Sequence, residues 1–259
     1  MTRETLEKKH AVLLPPDLVK GKSVLDLGSC MGATGQWSLF YGAKSYTGIE
    51  TQIEYVERSR RLLAHHGEKA EIVHSGITEF LEKNERRFDI VCLFGVIYAF
   101  VDCYGLLGKA CAISDKYVVI ESLYPNLPKG FLRLPLIQIL PAQRINLAND
   151  TASLVGVGTR ITPVGIKMAM ANFGFASREG IMHPEPIVGS IDIYQPIPSP
   201  EKLREMFPNE PSDDGEEMVV GNYLHGFIRF MMRFEKIGKK LPTLEASLTS
   251  DRAGPIMPW

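Results

Sequence analysis

Apolar and polar positions along the first half of the chain switch repeatedly between two periods. Short runs rich in β-branched residues occur at Ser23 to Leu27, Ser45 to Glu50, Glu71 to His74, Phe88 to Phe94 and Lys116 to Glu121. Each is of strand length, and longer amphipathic runs lie between them. This alternation predicts parallel strands joined by right-handed helical crossovers. Thr51-Gln52-Ile53-Glu54 has capping-box form and predicts a helix whose apolar face carries Ile53, Val56, Leu62 and Leu63. Farther on, Thr162-Pro163 reads as an N-cap followed by a first-turn proline, and Gly174 is placed to end the same helix. A last apolar run, Tyr223 to Phe234, carries Arg229 and Arg233 and is expected to rejoin the sheet.

Two stretches break the repeat. Residues 122–161, with Pro125, Pro128, Pro135 and Pro141, are too long for a plain connection and predict a lid or substrate wall. Residues 185–221 include a proline-rich and acidic tract with Asp213-Asp214-Gly215-Glu216-Glu217, which reads as a solvated excursion or as a second wall of the acceptor pocket. With residues 1–20 as an N-terminal helical cap, the whole of 1–259 is expected to form one domain.

Composition narrows the partners. Twenty-nine basic and 30 acidic side chains leave a net charge of -1, so no global field draws the chain to nucleic acid or anionic lipid. Clustered cations are not seen beyond pairs such as Arg60-Arg61 and Arg86-Arg87, and nucleic acid is not expected as a partner. The N-terminal MTRETLEKKH lacks the apolar core of a secretory signal, and the longest apolar stretch, within Ile90 to Val101, is too short to cross a bilayer. Cys30, Cys92, Cys103 and Cys111 form no CxxC pair and read as buried free thiols, which fits the cytoplasm. His10, His65, His66, His74, His183 and His225 have no metal-ligand spacing, so no metal is expected.

The most informative stretch is Val24-Leu25-Asp26-Leu27-Gly28-Ser29-Cys30-Met31-Gly32-Ala33-Thr34-Gly35, an apolar strand running into a glycine-rich turn before a helix. Gly28, Gly32 and Gly35 would let the backbone turn tightly and approach a ligand. The spacing departs from G-x-G-x-x-G, where a helix N-terminus must face a pyrophosphate, and suits a ligand without phosphate. Glu50 ends the next run about twenty positions on, where a carboxylate accepts both hydroxyls of a ribose. Phe94-Gly95-Val96-Ile97-Tyr98 would sit across the crevice where strand order reverses.

Together these residues resemble the class I S-adenosylmethionine-dependent methyltransferases, whose first motif is an apolar strand ending in D-x-G-x-x-x-G and whose second is an acidic strand end. The resemblance spans roughly residues 8–184. It implies a Rossmann-like α/β fold, a doubly wound, mostly parallel seven-stranded sheet with an antiparallel last strand and lid insertions, and S-adenosylmethionine as cofactor. It implies that Gly28 to Gly32, with Ser29 and Cys30, hold the methionine portion, that Asp26 organises the loop near the amino group, and that Glu50 holds the ribose. Gly76-Ile77 would lie near adenine, in a segment where many members carry an acidic residue and this chain has Ser75-Gly76-Ile77. Thr34, Thr51, Phe94 and Gly95 complete the implied cofactor set. A narrower similarity, in Gly95-Val96-Ile97-Tyr98, Val119-Ile120-Glu121 and Thr162-Pro163, is to the branch containing the tRNA wobble-uridine carboxymethyltransferases. Ala99 stands where that branch has His and the following basic residues are absent, so neither the tRNA nor the carboxylated cofactor is carried over.

Methyl transfer from a sulfonium is an in-line displacement that mainly requires alignment in a dry site. Tyr98 is the first candidate for the reacting centre, with a core tyrosine as the equal alternative. Glu121 would orient a substrate amine or hydroxyl, or cap nearby backbone. Arg160 would bind a substrate carboxylate, or form a surface ion pair. Cys30 reads as a small packing residue rather than a nucleophile. The expected activity is methyl transfer to a small molecule in cytoplasmic biosynthesis by a monomer or homodimer. An RNA (tRNA) methyltransferase and a catalytically silent cofactor-binding regulator are the alternatives, and a nicotinamide dehydrogenase would need the other glycine spacing.

Overall fold

A computed structural model of the chain describes residues 3–123, 135–141, 157–177 and 229–238. Five strands form the parallel part of the sheet: β1 (Ser23–Leu27), β2 (Ser45–Glu50), β3 (Ala70–His74), β4 (Phe88–Phe94) and β5 (Ser114–Leu123). With β8 (Phe175–Ser177) and β9 (Arg229–Lys236), the order is β3-β2-β1-β4-β5-β9-β8, in seven strands. The last strand, β9, is antiparallel to both neighbours, β5 and β8. This is the doubly wound sheet with an antiparallel last strand that the methyltransferase resemblance implies. Of the expected run Tyr223 to Phe234, residues 223–228 lie outside the described residues. The chain leaves β1 toward β2 on one side and returns through β4 on the other, so a crevice opens beyond the carboxyl ends of β1 and β4.

Two apolar layers cover the sheet, and the period of two along its strands feeds both. In β4, Ile90 and Cys92 belong to one core, and Val91 and Leu93 to the other. The first layer is built by α1 (Arg3–Leu13), α2 (Pro16–Val19), α3 (Ala33–Phe40) and α4 (Ile53–Leu63), through Leu13, Val19, Leu39, Val56 and Leu63. The second comes from α5 (Ile77–Lys83), α6 (Cys103–Ile113) and α7 (Pro163–Asn172), through Phe80, Leu106, Leu107, Ile166 and Met170. α7 starts and stops as its sequence predicts. The Thr162 side chain accepts from the Gly165 N–H at 3.1 Å, Pro163 follows, and Gly174 ends the turn at φ +80.

Several expectations change. The helix after β2 has Gln52, not Thr51, at its N-cap, and no side chain of the capping-box segment makes a capping bond. The carboxylate of Glu50 takes the Thr51 and Gln52 N–H groups instead, at 2.8 and 2.9 Å. Ile53 and Leu62 are exposed, and the inner face of α4 is Val56, Ser59 and Leu63. β5 is longer than Lys116 to Glu121 because β9 pairs with it from Tyr117 to Leu123. Within 122–161, β6 (Ile137–Pro141) and β7 (Val157–Ile161) form an antiparallel ribbon apart from the main sheet. The expected excursion at 185–221 lies outside the described residues. Cys92, Cys103 and Cys111 are buried free thiols as expected, whereas Cys30 is exposed.

Gly35 does not serve a turn. It lies within α3, where a Cβ would meet the Tyr46 ring at 2.5 Å and Leu63 at 2.9 Å, so its role is close packing of helix on sheet. Gly35→Ala is therefore expected to destabilise the fold by about 1–3 kcal/mol, seen as a lower urea midpoint at unchanged slope.

Candidate functional site

The turn after β1 is shaped by three residues in the left-handed region: Gly28 at φ 85, Cys30 at φ 48 and Gly32 at φ 82. Gly28 leaves room as well as freedom. A Cβ there would lie 2.7 Å from a Val96 methyl and 3.9 Å from one of Ile77, so the loop, the start of α5 and the turn after β4 converge at this point. Ser29 is buried where Gly48 of β2 lacks a Cβ.

The loop is tied to its neighbours by backbone bonds. The N–H groups of Gly28 and Ser29 donate to the Ile49 carbonyl at 3.0 and 2.9 Å, and the Ser59 hydroxyl of α4 donates to the Cys30 carbonyl at 2.8 Å. Glu50, at the end of β2, accepts from the Cys30 N–H through Oε2 at 2.9 Å, while Oε1 takes Thr51 and Gln52. One carboxylate thus gathers three N–H groups from two turns, and because Oε1 also takes the Thr51 hydroxyl at 3.4 Å, the acceptor capacity that remains lies on Oε2. Thr51 also offers its carbonyl to His74 Nε2 at 2.8 Å, and the Ser75 N–H donates to the Glu50 carbonyl at 3.1 Å. The ends of β2 and β3 are thereby joined beside Gly76 and the buried Ile77.

Beneath the loop lies Asp26, 1% exposed, which accepts from the Tyr46 hydroxyl at 3.0 Å. Its Oδ1 is buried with no hydrogen-bond partner among the described residues. Burial pushes the carboxyl up to about 6, against the pull of the Thr34 and Tyr46 hydroxyls and the Lys9 ammonium. Burial likewise raises the Cys30 thiol above its ordinary value, the opposite of what a nucleophile requires.

On the far side of the crevice, Gly95 turns at φ 70 and donates to the Glu121 carbonyl at 2.9 Å. A 3-10 turn, Ile97–Ala99, carries the half-buried Tyr98. β7 is pressed against this turn: Thr159 Oγ1 donates to the Phe100 carbonyl at 2.6 Å, and a Cβ on Gly158 would lie 3.2 Å from the Tyr98 carbonyl. The ribbon brings Arg160, 9% exposed, to the side of Tyr98. Burial lowers the guanidinium below its ordinary range, with Tyr98 acting the other way. Arg160 is therefore buried rather than on the solvated surface.

Glu121 is the residue the structure reads differently. It is buried and binds Lys9 Nζ at 2.7 Å, an ion pair that bridges α1 and β5. Lys9 also lies over the Phe94 ring, 4.9 Å from its centroid, and His10 Nε2 is 3.2 Å from Thr34 Oγ1. Neither Lys9 nor His10 was a sequence candidate. Nothing local marks them, since Glu7-Lys8-Lys9-His10 reads as a solvated stretch and the pairing spans 112 positions.

No family model and no curated protein matches the chain in sequence. Solved structures do match in shape. A 1,6-didemethyltoxoflavin-N1-methyltransferase from Burkholderia thailandensis, with its substrate and S-adenosylhomocysteine bound, is 16% identical at TM-score 0.55, covering 91% of this chain and 78% of that one. An S-adenosylmethionine-dependent methyltransferase from Mesorhizobium loti is 13% identical at TM-score 0.53, covering 90% and 98%. A magnesium protoporphyrin IX methyltransferase from Synechocystis with bound S-adenosylmethionine is 11% identical at TM-score 0.53, covering 90% and 78%. The chain has the class I, Rossmann-like methyltransferase fold.

The buried Asp26 generates a pH dependence. An acid whose folded pKa is raised stabilises the fold below its unfolded value, near 3.8, and loses that contribution as pH rises through about 6. Asp26→Asn, which keeps an acceptor for Tyr46, is expected to gain on the wild type by ~2–3 kcal/mol between roughly pH 4 and pH 7, read from urea midpoints across that range. A difference that does not change with pH would show that the carboxyl is not perturbed.

Proposed function

We propose that this protein is an enzyme that transfers the methyl group of S-adenosylmethionine to a small-molecule acceptor. The observation that carries the reading is the bond between the Cys30 N–H and Glu50 at 2.9 Å, which sets a left-handed glycine turn beside a strand-end carboxylate at the point where strand order reverses. The residues present fit the cofactor. Gly28 takes the left-handed turn that lets the loop pack against Val96, Ile77 and Val96 offer apolar surface for adenine, and Glu50 Oε2 retains acceptor capacity for a ribose hydroxyl. Asp26, Ser29, Cys30, Gly32 and Thr34 would surround the methionine portion, with Thr51, Gly76, Phe94 and Gly95 at the borders.

The bound cofactor would supply an electrophilic methyl group on a sulfonium. What the chain adds is alignment and exclusion of water. Tyr98, held by the ribbon through Thr159 and Gly158, would orient the acceptor or hold its departing proton, and Arg160 would bind an acidic group on it. A small acceptor is supported by the net charge of -1 and by the pairing of Arg86 with Glu71 and Arg87 with Asp115, which neutralises the one cluster of neighbouring arginines on that edge. The free thiols fit a reducing cytoplasm, and a biosynthetic step there is the expected setting. Labelled methyl donor incubated with metabolite extracts should give a labelled small product with or without RNase. Label found only in RNase-sensitive material would replace this reading with an RNA acceptor.

Two substitutions separate the roles. Glu50→Ala should weaken S-adenosylhomocysteine binding roughly 10- to 100-fold in calorimetry, while Glu85→Ala, at an exposed position, leaves it unchanged. Equal affinities would remove Glu50 from the site. Tyr98→Phe should lower turnover roughly 10- to 100-fold at nearly unchanged cofactor affinity. An unaltered rate would make the hydroxyl a bystander.

A further inference from the structure

α1 lies along α3 and reaches the carboxyl edge of the sheet, where two of its polar residues are buried. His10 holds the helix in place, bonded to Thr34 at the start of α3 and stacked on Trp37 at 5.8 Å. Lys9 goes further into the crevice. Its side chain is 10% exposed, its partner Glu121 is 4% exposed, and its charge acts on Asp26 and Cys30 as well. One cation therefore stands over Phe94 at the end of β4 and against the buried carboxylate of Glu121 in β5.

Burying such a pair rarely stabilises a fold relative to well-packed hydrocarbon, because the desolvation cost is comparable to the attraction gained. A pair at the mouth of a ligand crevice has another use. The amino-acid end of S-adenosylmethionine carries one carboxylate and one ammonium, the same two charges that Lys9 and Glu121 present to each other. Exchange of an internal ion pair for a zwitterion keeps every charge partnered, and the protein groups are already desolvated and oriented before the ligand arrives. Asp26 adds a second acceptor beside the loop through its unpartnered Oδ1.

Building on the cofactor reading above, we propose that the Lys9–Glu121 pair is the receptor for the charged amino-acid end of the cofactor. Lys9 takes its carboxylate, and Glu121, with Asp26, takes its ammonium. Glu121 is then a binding residue rather than one that orients the acceptor. The assignment also makes the N-terminal helix part of the site rather than only a cover for the α3 side of the sheet.

The test compares two ligands on the full chain. S-adenosylhomocysteine carries the amino-acid end, and 5′-methylthioadenosine keeps the adenosine and thioether without it. Lys9→Met should lose roughly 10- to 100-fold in affinity for the first and stay within about 2-fold for the second, and Lys9→Arg should recover part of the loss. Should Lys9→Met fail to fold, Glu121→Gln should show the same selective loss. Equal losses for both ligands would make α1 a structural element only and overturn the proposal, as would no loss for either. A wild-type chain that binds methylthioadenosine and S-adenosylhomocysteine equally well overturns this proposal while sparing the adenosine site. A wild-type chain that binds neither overturns the cofactor reading and this proposal with it.

Discussion

The carboxylate of Glu50 holds two crossover turns at a single point, and the rest of the candidate site is arranged around that fact. Through Oε2 it fixes Cys30 in a left-handed conformation that a residue with a Cβ adopts reluctantly, and through Oε1 it supplies the first N–H groups before α4 with an acceptor. Because β1 and β2 are adjacent and in register from Ser23 with Ser45 to Leu27 with Ile49, the loop and the carboxylate arrive together. Ser59 and the Ile49 carbonyl complete the restraint from α4 and β2. A turn held by bonds from two elements is preorganised for a ligand, so less ordering remains to be done on binding.

The opposite wall is built differently. Its backbone is set by Gly95 and the 3-10 turn that follows, and its side chains are positioned by elements that do not belong to the five-stranded parallel core. The ribbon strand β7 presses Thr159 and Gly158 against the turn and sets Arg160 beside Tyr98. α1 inserts Lys9 over Phe94 and against Glu121. The wall around Glu50 is thus built from sheet and turn, while the opposite wall is assembled with an N-terminal helix and an inserted ribbon. That division matches the way one fold serves many acceptors through changes in its additions.

Charge follows the same division. Asp26 and Glu121 are both buried carboxylates, but Asp26 sits under the loop with one oxygen unpartnered and is pushed toward protonation by desolvation, whereas Glu121 has the Lys9 ammonium at 2.7 Å. Two acids of similar burial therefore stand in different electrostatic surroundings, set by what reaches them from elsewhere in the chain.

The sequence by itself determined the core parallel strands and the glycine-rich turn after β1. β1, β2 and β4 have the ends their patterns predict, and α7 has its predicted cap and stop, because short β-branched apolar runs buried on both faces, a Thr-Pro start and a left-handed glycine are all decided within a few residues. Only the tertiary structure decided what long separations bring together. Gly35 looked like a third turn glycine and is a packing residue against Tyr46, Thr51 looked like a cap and yields that place to Glu50, and Cys30 looked buried and is exposed. Lys9 and Glu121, 112 positions apart, meet in the crevice although Lys9 reads locally as a surface residue and Glu121 as an acceptor-side or capping residue. A buried charge is tolerated only where the whole fold supplies its partner, and no local pattern carries that information.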